Sequence, residues 1–265
     1  MKYFDSHAHY YDERFAEESS EGTEALLSAL LSSDVSFVVN VGTSPDTCRL
    51  AIEQAKKFDN VYTCLGIHPT DCQYLEMSIE SALVDIERLI SERENKCVAL
   101  GEIGLDYHYP DTDKEKQLKF FEAQLCLAQR LNIPVVIHDR DAHEDVMAMI
   151  RKYPSVKGIM HSFSGSREMA EELVRLGYMI SFSGTLTFTN ARRPKQVAAA
   201  LPIENILIET DCPYLAPHPK RGTLNHSGNL VYTNRVLAEI KGISEQECAE
   251  ITENNAKRIF RLSAV

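Results

Sequence analysis

The sequence predicts an α/β fold, a single-domain (β/α)8 TIM barrel spanning residues 1–265, with extra helices at its C-terminal end. Three observations predict the barrel. Strand-like and helix-like runs alternate about eight times along the chain. The strand-like runs are continuously apolar, as strands covered by helices must be. The length of 265 residues fits the roughly 250 typical of such a barrel, and no internal repeat, low-complexity tract or linker-like shift breaks it. An open doubly wound sheet is the competing arrangement, but the glycine-rich phosphate loop expected after its first strand is missing.

The first strand starts at Tyr3-Phe4-Asp5 and runs into His7-Ala8-His9, two histidines that alternation places on one face. Residues 10–21 are polar and irregular, with Glu17-Glu18-Ser19-Ser20-Glu21 read as a solvated acidic loop. A helix follows over 23–32, where Leu26, Leu27, Leu30 and Leu31 recur at helical spacing. Residues 37–42 form a buried strand, and Ser44-Pro45 supplies a cap and first turn for a helix reaching Phe58. A third strand over 61–68 ends in His68-Pro69, and a helix over 78–93 leads to a fourth strand over 98–105 that carries Glu102.

Thr112-x-x-Glu115 reads as a capping box for a long helix reaching Asn132, with Phe120, Leu125 and Leu127 as its core stripe. Strands over 134–138 and 158–161 each end in histidine, His138 and His161, with a helix over 145–152 between them. The helix over 168–176 stops at Gly177, a good left-handed terminator. Strands over 179–184 and 206–211 follow, the last ending in Asp211, and of two terminal helices the second is capped by Ser244-x-x-Glu247.

Composition is that of an ordinary soluble enzyme, 44% hydrophobic and 25% charged. No apolar run approaches the roughly 20 residues that span a bilayer, and the start lacks the basic region and apolar core of a signal peptide. The expected location is cytoplasmic, with no membrane contact and no obligate protein partner. The seven cysteines are scattered without a C-x-x-C pair and read as reduced, mostly buried small hydrophobes. A net charge of −11 argues against a protein that coats duplex DNA through a broad basic face. It leaves a nuclease open, because bound divalent cations can receive a phosphate locally.

In a barrel the C-terminal ends of all strands ring one mouth, so residues there converge however far apart they lie in sequence. His7, His9, Glu102, His138, His161 and Asp211 all fall at such ends. Any one of them could be a core histidine or a helix cap; six together, mixing nitrogen and oxygen donors, read as metal ligands. They are too many for one tetrahedral zinc with an open position, and suit two cations about 3.5–4 Å apart that share a carboxylate. Glu102, between Gly101 and Gly104, is the expected bridge, with His7, His9 and Asp211 on one ion and His138 and His161 on the other. Zn²⁺, Mn²⁺ and Mg²⁺ all suit such mixed donors.

The start Asp5-Ser6-His7-Ala8-His9, the Gly66-Ile67-His68-Pro69 turn, the run from Gly101 to Tyr107, His138-Asp139-Arg140, His161-Ser162-Phe163 and the run from Glu209 to Leu215 together resemble the TatD family of metal-dependent deoxyribonucleases. The resemblance spans nearly the whole chain. It implies a (β/α)8 metallohydrolase with two divalent ions on the six residues above, hydrolysing DNA phosphodiesters, often from a 3′ end, with single-stranded or frayed DNA as substrate. Such an enzyme would act in repair or DNA turnover, and a water between the two cations would lose a proton near neutral pH to become the nucleophile. Glu102 stands where related amidohydrolases carry a modified lysine, which favours the TatD branch.

Asp211 is expected to accept the water's proton, so Asp211 and Glu102 are the expected catalytic pair. His68, Arg140 and Arg221 are candidate phosphate-binding residues, against a structural His-Pro turn for the first and solvated surface arginines for the others. Tyr107 and Phe163 could stack bases or simply pack. His108, His143, His218 and His226 read as surface or loop residues, and a Cys212 thiol mechanism is set aside for want of a base. The competing activity keeps the metals and attacks an ester or amide carbon, as an aminoacyl-tRNA deacylase would; a non-catalytic metal-binding protein would show a degraded ligand set. One motif departs: Arg221-Gly222-Thr223-Leu224-Asn225 matches the family, but His226-Ser227-Gly228 replaces its usual acid-proline pair. The departure is expected to touch substrate preference and not metal binding.

Overall fold

The computed structural model describes residues 1–18 and 22–262. Eight strands form one sheet in sequence order: β1 (Tyr3–Ala8), β2 (Val35–Gly42), β3 (Val61–Leu65), β4 (Cys97–Asp106), β5 (Val135–Arg140), β6 (Gly158–Met160), β7 (Met179–Phe182) and β8 (Ile206–Ile208). Every neighbouring pair is parallel. Just beyond β8 the sheet comes back to its start, where Ala8 bridges Cys212, Asp211 N–H donates to His7 O (2.9 Å) and His9 N–H donates to Cys212 O (2.8 Å). The sheet is thereby drawn into a barrel, and its last link holds three of the candidate ligands.

Side-chain alternation, together with register shifts in β1 and β4, explains why the site lies inside. Phe4, Val39, Cys64, Ala99, Val136, Ile159, Met179 and Leu207 come from all eight strands and pack as one cluster, so they fill the barrel interior. Their strand neighbours Leu65, Leu100, Ile137, Met160, Ile180 and Ile208 pack in another cluster with helix residues such as Phe121, Ile150 and Leu173. Two residues on from Val136 and Ile159 the same face presents His138 and His161. A strand that is apolar throughout thus serves two cores and aims its last inward residue at the mouth.

The helices are α1 (Arg14–Glu18), α2 (Thr23–Ser32), α3 (Pro45–Ala55), α4 (Pro69–Cys72), α5 (Ile79–Ser91), α6 (Lys114–Leu131), α7 (His143–Lys152), α8 (Arg167–Arg175), α9 (Arg192–Ala200), α10 (Leu230–Lys241) and α11 (Glu245–Ile259). Ser44 and Thr47 make a reciprocal capping box for α3, and Ser244 accepts from Glu247 N at the start of α11. Gly177 takes φ +89° after α8, as a left-handed terminator does. Among the described residues no helix is long and apolar enough to cross a membrane.

Three expectations need correction. Helix α6 is capped by Asp113, whose carboxylate accepts from Lys116 N (2.9 Å), while the Thr112 hydroxyl turns back toward Asp106 O (3.4 Å). Helix α9 was not expected, because Arg192-Arg193-Pro194-Lys195 and an alanine run give no apolar period; Pro194 sits in its first turn, where a missing N–H is harmless. The acidic stretch over 17–21 begins inside α1, and its residues 19–21 lie outside those described.

Candidate metal centre

Strands β1, β4, β5, β6 and the turn after β8 bring the six candidate ligands to one point at the mouth. The two oxygens of Glu102 face different neighbours. Oε2 lies 3.2 Å from His7 Nε2 and 3.9 Å from His9 Nε2. Oε1 lies 2.8 Å from His138 Nδ1, 3.4 Å from His161 Nε2 and 3.5 Å from His68 Nε2. Asp211 Oδ1 completes the first set at 3.3 Å from His9 Nε2 and 3.7 Å from His7 Nε2. Glu102 itself is 3% exposed, so its carboxylate depends on these neighbours for charge compensation.

The rings are oriented from behind. His9 Nδ1 lies 2.7 Å from Val41 O, which fixes a proton there and leaves Nε2 with a lone pair toward Glu102 and Asp211. His7 Nε2 and His9 Nε2 stand 3.1 Å apart, both turned to the same spot. Behind His138, Asp106 Oδ2 lies 3.1 Å from Nε2; behind His161, Glu209 Oε1 lies 2.7 Å from Nδ1 and also accepts from Ser162 N (2.8 Å). A carboxylate behind each imidazole raises its basicity toward a cation. Asp106 and Glu209 were not singled out from the sequence. Glu209 could have been found by counting two from Leu207, which puts it on the interior face of the last strand.

Electrostatics agree with a site built for cations. Burial alone would push Glu102 up, but the imidazoles of His161, His68 and His7 and the bond from His138 hold it well below the usual carboxylate range. Burial would lower His138 and His161, yet the carboxylates of Asp106 and Glu102 lift the first to about 9, and those of Glu209, Glu102 and Asp211 lift the second to about 10. His7 is pulled down by burial and by its neighbour His161. Four imidazoles and two carboxylates thus converge with protons standing where cations would stand. Donor groups from this cluster, His7–His9–Asp211, His7–Glu102–His161 and His68–Glu102–His138, each place their ligand atoms close enough to grip one ion.

His68 differs from the rest. Its Nδ1 accepts from Thr70 N at the start of α4 (3.2 Å), so its proton sits on Nε2, facing Glu102. With that proton it is placed as a donor, which leaves Glu102 and His138 as the cation-gripping members of the third group.

The other candidates lie further out. The Arg140 guanidinium lies over the Tyr109 ring (5.6 Å to the centroid) and that of Arg221 over Phe188 (4.5 Å), both arginines exposed. Tyr107 donates to Asp145 (2.7 Å) beneath Lys114, and Phe163 is buried in the core, so neither ring is presented to a base. His108 and His143 pair with Asp141 (3.0 Å) and Asp139 (2.8 Å). Cys212 is buried and its thiol is pushed well above its ordinary value by burial, which leaves no thiolate.

The segment that departs from the family pattern, and Asn225 just before it, are hydrogen-bonded to the chain beside the candidate ligands. Asn225 Nδ2 donates to Thr210 O (2.9 Å) and Tyr214 O (2.7 Å), clasping the turn that carries Asp211. Ser227 Oγ donates to the buried Asp5 (2.7 Å), which also accepts from Thr210 N (2.9 Å) and Thr210 Oγ1 (2.5 Å). Asp5 lies two residues before His7 and Thr210 one before Asp211. The Ser227 hydroxyl thereby supports both ends of one donor set.

Eight parallel strands with imidazole and carboxylate donors converging at their C-terminal ends define a metal-dependent hydrolase barrel. The family model described as TatD related DNase matches residues 4–261, and this chain belongs to that family. It is 39% identical to the metal-dependent hydrolase YabD of Bacillus subtilis strain 168, covering 98% of this chain and 99% of that one. With the metal-dependent hydrolase YcfH of Escherichia coli K12 it shares 35% identity over 98% of this chain and 96% of the other. The crystal structure of YJJV, a TatD homolog from Escherichia coli K12, superposes with a TM-score of 0.89 at 28% identity, covering 98% of each chain.

Proposed function

We propose that this chain is a deoxyribonuclease that hydrolyses DNA phosphodiester bonds from the 3′ end of single-stranded or frayed strands, with two divalent cations held by His7, His9 and Asp211 on one side and His138 and His161 on the other, Glu102 between them. The observation that carries this reading is that the two oxygens of one buried carboxylate face two separate donor sets. Divalent ions held there, Zn²⁺, Mn²⁺ or Mg²⁺, supply positive charge for the phosphate oxygens and acidify water.

The residues do the rest. Asp211 is the least buried of the Glu102–Asp211 pair, its side chain 15% exposed toward the mouth. With Oδ1 turned to His9 and His7, its second oxygen is left to take the proton of the attacking water and return it to the leaving 3′ oxygen. Its carboxyl is held below the ordinary range because the histidines outweigh burial, so it is ionised and ready to accept at neutral pH. His68 Nε2 lies 3.5 Å from Glu102 Oε1, at the edge of the candidate site, and its N–H can turn to donate to a phosphate oxygen bound there. Arg140 and Arg221, each lying over an aromatic ring, serve the phosphates of the bound strand.

The test is degradation of 5′-labelled single-stranded and duplex DNA by metal-stripped protein resupplied with Mg²⁺, Mn²⁺ or Zn²⁺, alongside Glu102→Ala. Metal-dependent shortening from the 3′ end that the variant loses supports the reading. Intact DNA together with metal-dependent release of an amino acid from aminoacyl-tRNA would replace it with the ester hydrolase.

A further inference from the structure

The aromatic residues exposed among the described ones are three tyrosines, Tyr74, Tyr109 and Tyr214. All three lie on loops that follow strands, after β3, β4 and β8, on the face that carries the candidate metal centre. Exposed rings confined to one rim are not what random surface composition produces, because a large apolar surface left in water is normally buried.

Two of the three sit next to the ligands. Tyr214 N–H donates to Asp211 O (2.9 Å), and its ring stands edge-on to that of His9 at 6.2 Å. The Arg14 guanidinium lies over the Tyr214 ring, 4.1 Å from its centroid. Asp12 fixes both: it accepts from Arg14 Nε (3.0 Å) and Nη2 (2.9 Å) and from Tyr214 Oη (3.1 Å). Across the mouth, Tyr109 follows Asp106 by three residues and lies under the Arg140 guanidinium, two residues past His138. Each donor set therefore has beside it an exposed phenol ring paired with a guanidinium.

We infer that these two ring–guanidinium pairs are stacking platforms for the nucleobases on either side of the scissile phosphodiester, Tyr214–Arg14 beside His9 and Asp211 and Tyr109–Arg140 beside His138. This rests on the nuclease reading and adds the part of the strand that the metal centre does not touch. A planar base extends a ring–guanidinium stack without regard to its identity, and Arg140 beside Tyr109 can meet the adjoining phosphate, while Arg14 is held in its ion pair with Asp12. Because Asp12 holds Tyr214 and Arg14 in place before substrate arrives, little side-chain freedom is lost on binding. On a chain of net charge −11, an arginine over a ring at this rim gives a polyanion a local landing point.

The test compares kcat/KM of the metal-loaded enzyme on a single-stranded oligonucleotide and on the same strand with abasic residues flanking the cleaved bond. The wild type prefers the base-bearing strand, and Tyr214→Ala and Tyr109→Ala each reduce that preference about tenfold. Tyr214→Phe keeps the ring and most of the preference, which separates stacking from the hydroxyl contact with Asp12. A wild type that cleaves both strands equally well, or alanine variants that keep the full preference, would overturn the platforms while leaving the nuclease reading in place. A wild type that cleaves neither strand would remove that reading, and the platforms with it.

Discussion

Replacing Ser227 with alanine perturbs the one segment that departs from the family pattern, and the structure sets the size of the effect. Ser227 is fully buried. Its Oγ donates to Asp5 Oδ2 (2.7 Å), accepts from Tyr10 Oη (2.7 Å), and its own N–H donates to Tyr10 Oη (2.9 Å), so the proton chain runs Tyr10 to Ser227 to Asp5. Loss of a hydrogen bond to a buried ionised carboxylate costs about 1.5–3 kcal/mol, and the stranded Tyr10 hydroxyl adds about 1 kcal/mol. The expected loss is about 2.5–4 kcal/mol, or about 5–15 °C in midpoint for a chain of this size. The pH dependence carries a sign. Burial raises Asp5 from 3.8 to about 6 against the bonds from Ser227 and Thr210, so the folded state keeps a proton that the unfolded state has released. Its contribution to stability is therefore full below 3.8 and is lost as pH rises through about 6. Above that point the carboxylate is charged and most in need of its donors. Ser227→Ala should thus cost more near pH 7.5 than near pH 5, read by urea and thermal unfolding of the metal-loaded protein. A cost below about 0.5 kcal/mol at the higher pH, or one equal at both, would refute the reasoning.

Further outcomes follow from the groups behind the ligands. Glu209→Gln removes the charge held 2.7 Å from His161 Nδ1 and should weaken metal binding about 10- to 100-fold in a competition titration; affinity within about threefold of wild type would contradict that. Asp106→Ala should do the same through His138, with the unfolding midpoint of the metal-free protein much less affected than its metal affinity. With His138 raised to about 9 and His161 to about 10, both hold a proton at neutral pH in the metal-free chain. Metal binding should release about two protons, and affinity should climb as pH rises; calorimetry in buffers of different ionisation enthalpy would show it, and a count of none would oppose it.

The six candidate ligands were legible because a parallel barrel converts strand ends into neighbours, whatever their separation in sequence. Glu102 stands out in the sequence from its place inside a strand and between glycines, and the structure turns its two oxygens to different neighbours. Gly104 has φ +138°, and a Cβ there would stand 2.0 Å from His138 O, so the second glycine is required by β5 pressing against β4. Asp106 and Glu209 carry no local signal of their own, and only alternation counted from Glu102 and from Leu207 shows that they face inward. His68 was legible as a mouth residue, while its role as a donor needed the Thr70 contact to fix the tautomer. The link from Ser227 to Asp5 spans the full barrel closure and has no local signature. Helix α9 was hidden for the opposite reason, its local sequence lacking the apolar period that tertiary packing then made unnecessary.

The account turns on Glu102 holding two cations at once, and calorimetric metal titration of the stripped protein tests that most directly. Wild type should take up two equivalents of Mn²⁺ or Zn²⁺ per chain, and Glu102→Ala should lose tight binding at both sites, since both donor sets share its carboxylate. A single equivalent in the wild type, or a variant that still binds one ion as tightly as before, would contradict the bridge.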